Sequence, residues 1–336
     1  MTLSLIQVGL GGFGRSWAQI VQASSVATLA AVVDVAPEAR VWAANTLGVP
    51  TFARLDEALA AHRAAAVLIA TPPDSHHAVA IAALQASRHV LVEKPLASTL
   101  AEARDLIATA DAVGRTLMVS QNYRFRPPAR AAQAVVTSGA LGELVAVRIH
   151  FRRDTRTGFG VGNFRYAMRH PLLLDMSIHH FDLLRAVTGR NVSHLYAQTW
   201  RAPDSLYQHD PTAIVTMTLA GGATAVYDGD WASREGSTAW NAAWGILGEK
   251  GRLTWRGGVD DAEIGDLRLE IWGGGEQDVA LPALPLADRP AVLAAFAEAL
   301  ATGIPPETRA ADNIYSLAIV LGAVEAVETG RLIDLT

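Results

Sequence analysis

The stretch Ile6-Gln7-Val8-Gly9-Leu10-Gly11-Gly12-Phe13-Gly14-Arg15-Ser16-Trp17 decides how this 336-residue chain is read. Residues 5–8 form a short apolar run that predicts a strand, and the pattern over 17–21 predicts a helix. Between them Gly9, Gly11 and Gly14 make a Gly-x-Gly-x-x-Gly turn. Gly9 permits the tight turn, Gly11 lets a diphosphate approach the backbone, and Gly14 lets the helix pack close to the strand. The free amides that open the helix, at Gly12 and Phe13, combine with the helix dipole to hold an anion. A second apolar run, 29–33, ends at Asp34, about 20 residues past the turn, where an acid bonds the diol of an adenosine ribose. Strand, turn, helix and acid together predict a bound dinucleotide. Asp34 would repel a 2′-phosphate, and neither Val35 nor Ala36 supplies a cation, so NAD is expected ahead of NADP.

Composition agrees with a large folded protein. The length suits two domains, and half the residues are hydrophobic against 18% charged, enough for a sizeable core. The absence of cysteine excludes disulfides, thiolate zinc and iron–sulfur clusters, and it fits a reducing compartment. A formal charge of -5 offers no basic field for nucleic acid or an anionic membrane. No signal peptide is read before the first strand, and no uncharged apolar run is long enough to span a bilayer. The expectation is a cytoplasmic protein.

Residues 1–121 alternate apolar runs (67–70, 89–92, 116–120) with helical stretches (37–47, 55–61, 76–86, 100–113). Continuous apolar strands separated by helices imply a parallel sheet covered on both faces, a doubly wound Rossmann domain of the α/β class. From residue 122 to 336 the texture changes. One helix starts at Pro127 and Pro128, and strands follow at 144–152, 212–219, 223–231, 243–247, 251–255 and 267–272, with Gly221-Gly222 as a hairpin turn. Their alternation predicts an α+β domain built on a large, mostly antiparallel sheet with two unlike faces. Helices are expected at 171–187, stopping at Gly189, and near 291–301 and 309–328.

Three further clusters could carry chemistry. Thr71-Pro72-Pro73-Asp74-Ser75-His76 follows a strand, where loops line the ligand crevice of an open parallel sheet. It caps the next helix, and Thr71 or His76 could touch the cofactor. Glu93-Lys94-Pro95 follows another strand; Lys94, restrained by Pro95, could steady a developing oxyanion, though such a pair is commonly a solvated one. On the 171–187 helix Asp175 and His179 at i and i+4 share a stripe with Asp182, while His180 points about 100° away. An Asp one turn from a His raises its basicity, as a general base requires; the plainer reading is a surface pair. No third and fourth ligand with a metal spacing accompanies them, so no metal is expected.

Taken together, Gly9 to Gly14, Asp34, Thr71-Pro72 to His76, Glu93-Lys94-Pro95, Asn122-Tyr123-Arg124-Phe125-Arg126-Pro127 and Asp175-x-x-x-His179 resemble the glucose–fructose oxidoreductase, inositol dehydrogenase and rhizopine-catabolism (Gfo/Idh/MocA) family, nearly end to end. The resemblance implies that Lys94 and His179 are the catalytic pair, that Asp175 assists at the substrate, and that Glu93 and Asn122 border the nicotinamide end. It also implies an open-faced sheet used in a homodimer or homotetramer, an assembly to which the six tryptophans after residue 199 (Trp200, Trp231, Trp240, Trp244, Trp255, Trp272) could contribute. Two departures stand out: where many members carry glycines, this chain has His170-Pro171 and Ser177.

The expected activity is NAD-dependent oxidation of a secondary hydroxyl of a sugar, polyol or cyclitol. A redox-neutral eliminase or hydrolase with retained NAD, carbonyl reduction, and a non-catalytic sensor are the other readings; the intact Lys94 and His179 argue against the last. Arg152, Arg153, Arg156, Arg165 and Arg169 precede the histidine helix and could recognise a carboxylate, or form a solvated basic loop.

Overall fold

The structure, a computed structural model, describes residues 2–155, 159–160, 162–256 and 266–335. Arg156, one of the five loop arginines, lies outside them. The chain folds into two compact units, residues 1–125 with 286–317, and residues 126–285 with 318–336.

The first unit contains β1 (Leu3–Val8), α1 (Gly12–Gln22), β2 (Ala27–Val33), α2 (Pro37–Leu47), β3 (Thr51–Phe52), α3 (Leu55–Ala61), β4 (Ala66–Ile69), α4 (His76–Gln85), β5 (His89–Glu93), α5 (Leu100–Ala112) and β6 (Leu117–Ser120). The strands pair in parallel in the order β3-β2-β1-β4-β5-β6, the doubly wound arrangement expected. β4 is buried along its whole length, as a strand covered on both faces must be. Thr99 caps α5 with a reciprocal capping box to Glu102, and α2 stops at Gly48 in the left-handed conformation.

One boundary differs from the sequence reading, which gave everything after residue 121 to the second domain. Helix α8 (Asp288–Thr302) drives Ala291, Val292, Leu293 and Phe296 into the same apolar cluster as Leu5, Trp17, Leu68 and Met118. Thr308 accepts a backbone bond from Val119, and Arg309 bridges Met118. Apolar burial draws these late residues onto the β6 edge, and no local sequence signal announces it.

The second unit contains α6 (Pro127–Thr137), β7 (Leu144–Arg152), α7 (Ile178–Thr188), β8 (Val192–Trp200), β9 (Thr212–Leu219), β10 (Thr224–Asp230), β11 (Ala243–Gly248), β12 (Gly251–Arg256), β13 (Asp266–Ile271), β14 (Gly275–Asp278) and β15 (Ile333–Asp334). Among the described residues they make a nine-stranded sheet ordered β14-β13-β12-β11-β7-β10-β9-β8-β15, antiparallel except for the β7–β10 pair. Val147, Ile149, Phe151, Val215, Met217, Tyr227, Trp244, Leu253 and Trp255 line the buried face. The other face carries exposed or half-buried residues such as Arg148, Ile214, Thr216, Arg252 and Arg268. The strand β8 is absent from the sequence reading. Helix α9 (Ala310–Thr329) is long and apolar enough to cross a membrane, but carries Asp312, Glu325 and Glu328, and half of it is buried in the protein.

Candidate active site

In the first unit the glycine turn has the geometry its sequence calls for. Gly9 has φ +95°, and a Cβ there would lie 2.5 Å from the carbonyl oxygen of Ala70. A Cβ at Gly14 would run into the carbonyl of Gly9, so α1 can approach β1 only with glycine at that position. A Cβ at Gly11 or Gly12 would meet nothing within 4 Å, so this side of the turn is an open cradle beside the α1 amides. Buried Gln7 braces the turn from below by donating to the carbonyls of Gly9 and Gly14.

Asp34 directly follows β2, with its carboxylate already oriented. Oδ2 accepts from Leu10 N at 2.7 Å, and Oδ1 accepts from Ala36 N at 2.8 Å. Each oxygen keeps a lone pair for a ribose hydroxyl. A cation that the sequence reading did not consider stands beside it: Arg40 Nη1 donates to the carbonyls of Asp34 and Val35 at 2.7 and 2.9 Å. Being on α2, it reaches back by one helical turn and a loop.

At the carboxyl ends of β4 and β5 the predicted residues have distinct duties. Ser75 Oγ donates to Thr71 Oγ1 at 2.7 Å, closing the loop that follows β4. His76 was expected as a possible cofactor contact; instead its ring is fully buried, with Nδ1 2.7 Å from Pro95 O and Nε2 3.0 Å from Thr71 O. It ties the loop after β4 to the loop after β5. Burial pushes its pKa below the ordinary value, and the two carbonyls oppose that shift. Glu93 accepts from Trp17 Nε1 at 2.7 Å through one oxygen and from Lys94 N at 3.1 Å through the other. Lys94 is half-buried, and its peptide with Pro95 is cis. Asn122 Nδ2 donates to Asp288 Oδ1, fastening the turn after β6 to the start of α8. Arg124, 7% exposed, pairs with Asp312 at 2.8 Å in the same region.

In the second unit the segment carrying Asp175 and His179 departs from the expected α-helix. Residues Leu172–Ser177 form a π-helical turn, and α-helical geometry starts only at Ile178. Asp175 therefore sits in the π turn while His179 sits on the α-helix that follows it; π turns of this kind recur at functional sites. Asp175 accepts from Arg165 Nε at 2.5 Å, and both side chains are more than four-fifths buried. His179 is 8% exposed, on the first turn of α7. His170, at a glycine position of the family pattern, has φ +47°, so the backbone keeps the left-handed conformation that glycine adopts without strain.

Ser177, the other departure, donates to Tyr227 Oη at 3.0 Å on β10. Tyr227 Oη lies 3.2 Å from His180 Nδ1, and His180 Nε2 lies 2.9 Å from the carbonyl of Trp240. A carbonyl can only accept, so Nε2 carries the proton, Nδ1 accepts from Tyr227, and Tyr227 accepts from Ser177. His180 lies in the core beside Phe151. Burial pushes its pKa down to about 4, helped by the Arg126 cation, and burial raises that of Tyr227 above the ordinary phenol value. Both groups are therefore neutral throughout the physiological range.

The loop arginines are largely compensated. Arg152 pairs with Asp228 at 2.7 Å, Arg165 with Asp175, and Arg169 with Glu328 at 2.9 Å, while Arg153 lies 4.2 Å over the Trp240 ring.

A doubly wound sheet, an open glycine turn at the head of α1 and a carboxylate beside it define a dinucleotide-binding domain. Residues 4–121 match the oxidoreductase family with an NAD-binding Rossmann fold, and residues 129–254 match the GFO/IDH/MocA C-terminal domain. The chain belongs to the Gfo/Idh/MocA family. It is 29% identical to a D-apiose dehydrogenase of Paraburkholderia graminis, over 98% of this chain and 88% of that one. It is 31% identical to an inositol 2-dehydrogenase of Leifsonia xyli, over 59% of this chain and 58% of that one. In fold it is similar to an oxidoreductase of Agrobacterium radiobacter solved with NAD+, L-tartaric acid and magnesium, with TM-score 0.87 and 24% identity over 99% of this chain and 98% of that one.

Proposed function

We propose that this protein oxidises a secondary hydroxyl of a neutral sugar, polyol or cyclitol, with NAD as the hydride acceptor. The observation that carries the proposal is the anchored Glu93-Lys94 pair at the carboxyl end of β5, in a chain that also keeps His179. NAD, when bound, accepts a hydride from the carbon that bears the hydroxyl. His179 takes the hydroxyl proton, and Lys94 stabilises the oxygen as negative charge develops on it. Asp175, held by Arg165, orients the substrate through a neighbouring hydroxyl. Gly9, Gly11, Gly12, Phe13 and Gly14 hold the diphosphate, Asp34 the adenosine ribose, and Thr71, Glu93 and Asn122 border the nicotinamide half.

The pairing of Arg152, Arg165 and Arg169 with acids supports a neutral substrate, because it leaves little net charge for a carboxylate. The names of the apiose and inositol dehydrogenase relatives support the same class. The assembly proposed is a homodimer or homotetramer of a cytoplasmic enzyme. The deciding experiment follows NADH absorbance with a panel of sugars, polyols, cyclitols and sugar acids, alongside product analysis. NADH formation with a neutral polyol or sugar supports the proposal. A product that appears without net NADH identifies the redox-neutral chemistry instead, and preference for sugar acids overturns the neutral-substrate assignment.

A further inference from the structure

One cation near the glycine turn is not used by the reading above. Arg289 opens α8, where its backbone N donates to Asp288 Oδ1 at 2.9 Å, the same carboxylate oxygen that accepts from Asn122. Its guanidinium lies 5.5 Å from the ring centroid of Phe13 and 5.9 Å from that of Trp17. Those residues sit one turn apart on α1, immediately after the open cradle of Gly11 and Gly12. The Nη1 atom is buried and has no hydrogen-bond acceptor among the described residues. Phe13 is 59% exposed, so ring and guanidinium together make a platform with one side uncovered.

The side of the turn on which the platform stands is fixed. In the sheet order β3-β2-β1-β4-β5-β6, Asp34 directly follows β2 on one flank of β1. Trp17, under Arg289, donates to Glu93 at the end of β5 on the other flank. A dinucleotide laid across the turn with its adenosine ribose at Asp34 brings its second phosphate, the one nearer the nicotinamide, to the Arg289 side. A planar guanidinium matches phosphate oxygens and is weakly hydrated, which suits a half-covered site.

We infer that Arg289 is a cofactor-binding residue that neutralises the nicotinamide-side phosphate of the dinucleotide. The inference rests on the NAD-binding reading of the first unit. The competing role is a purely structural one, with the cation stitching α8 to α1 through the two rings.

Calorimetric titration separates the two with three ligands: NAD+, ADP-ribose, which keeps both phosphates without the nicotinamide, and AMP, which lacks the second phosphate. Arg289→Ala should weaken NAD+ and ADP-ribose by on the order of tenfold or more, the usual cost of a lost charge-assisted bond, and leave AMP unchanged. It should also flatten the salt dependence of NAD+ binding. Arg289→Met keeps the aliphatic stem against the rings and should behave in the same way, so it decides the matter if the alanine variant does not fold. Arg289→Lys should restore part of the affinity. Equal NAD+ affinity in the unaltered and variant proteins, or a loss shared by AMP, overturns the inference and leaves the NAD reading standing. Failure of the unaltered protein to bind NAD+ overturns both.

Discussion

At the scale of single residues, Lys94 and His179 have separable duties. His179 must be neutral to accept a proton, so the oxidation rate should fall as pH drops through its pKa. Lys94→Ala and His179→Ala should each lower turnover on the order of a hundredfold or more. NAD+ affinity should persist in both, because the cradle and Asp34 are untouched. A folded His179→Ala enzyme with near-normal turnover would refute the assignment of the base. Asp34 carries the cofactor choice. Asp34→Ser should raise the relative use of NADP, because it removes a carboxylate and leaves Arg40 Nη1 beside the vacated position. Comparing kcat/KM for the two cofactors measures this, and unaltered discrimination in the variant would dismiss both residues as determinants.

At the scale of elements, the turn Leu172–Ser177 and α7 are held to the sheet by the Ser177, Tyr227, His180 and Trp240 chain of bonds. That chain needs a neutral His180, which sets an acid limit. Unfolded, the imidazole is protonated below its ordinary value of 6.5; folded, it resists protonation down to about 4. Between those two pH values the unfolded chain binds one more proton, so stability is present in full above the window and is lost as pH falls through it. The shift corresponds to about 3 kcal/mol for this group alone. Urea midpoints at pH 7 and pH 4.5 should draw closer together in His180→Gln than in the unaltered protein; an unchanged gap would remove His180 as the cause. Sequence legibility followed the same division. The glycine turn was readable because strand, turn and helix are neighbours in the chain, and Asp34 because its distance along the chain is set by a βαβ unit. The strand β8 was missed because a register shift between Val192 and His194, and the aromatics Tyr196 and Trp200 on its less buried face, break the period-two pattern. The π turn was missed because apolar spacing does not register one extra residue per turn. The strapping role of His76 was missed because both its partners are backbone carbonyls.

At the scale of the whole molecule, the open sheet face bears on assembly. Trp244 and Trp255 stack within the unit and Trp231 is buried, so these three are not available to a partner. Trp200, 45% exposed on β8, and Ile214, 39% exposed on β9, remain on the open face. Light scattering at micromolar concentration should give a mass of two or four chains, and a monomeric mass would count against use of this face. The split make-up of the first unit bears on how the protein is made. Its core residues Met118 and Phe125 leave the ribosome long before Val292 and Phe296, which complete the same cluster. At about 5–20 residues per second, synthesis leaves a gap on the order of ten seconds or more in which the nucleotide-binding half is assembled but unsealed. A fragment of residues 1–125 should therefore bind a hydrophobic dye and aggregate, and adding a peptide of residues 286–317 should suppress both. A fragment that is monomeric and silent to the dye would show that the late segment is an ornament to this half rather than its lid. If the segment is the lid, the newborn chain is a client for chaperones for as long as its last helices are unmade.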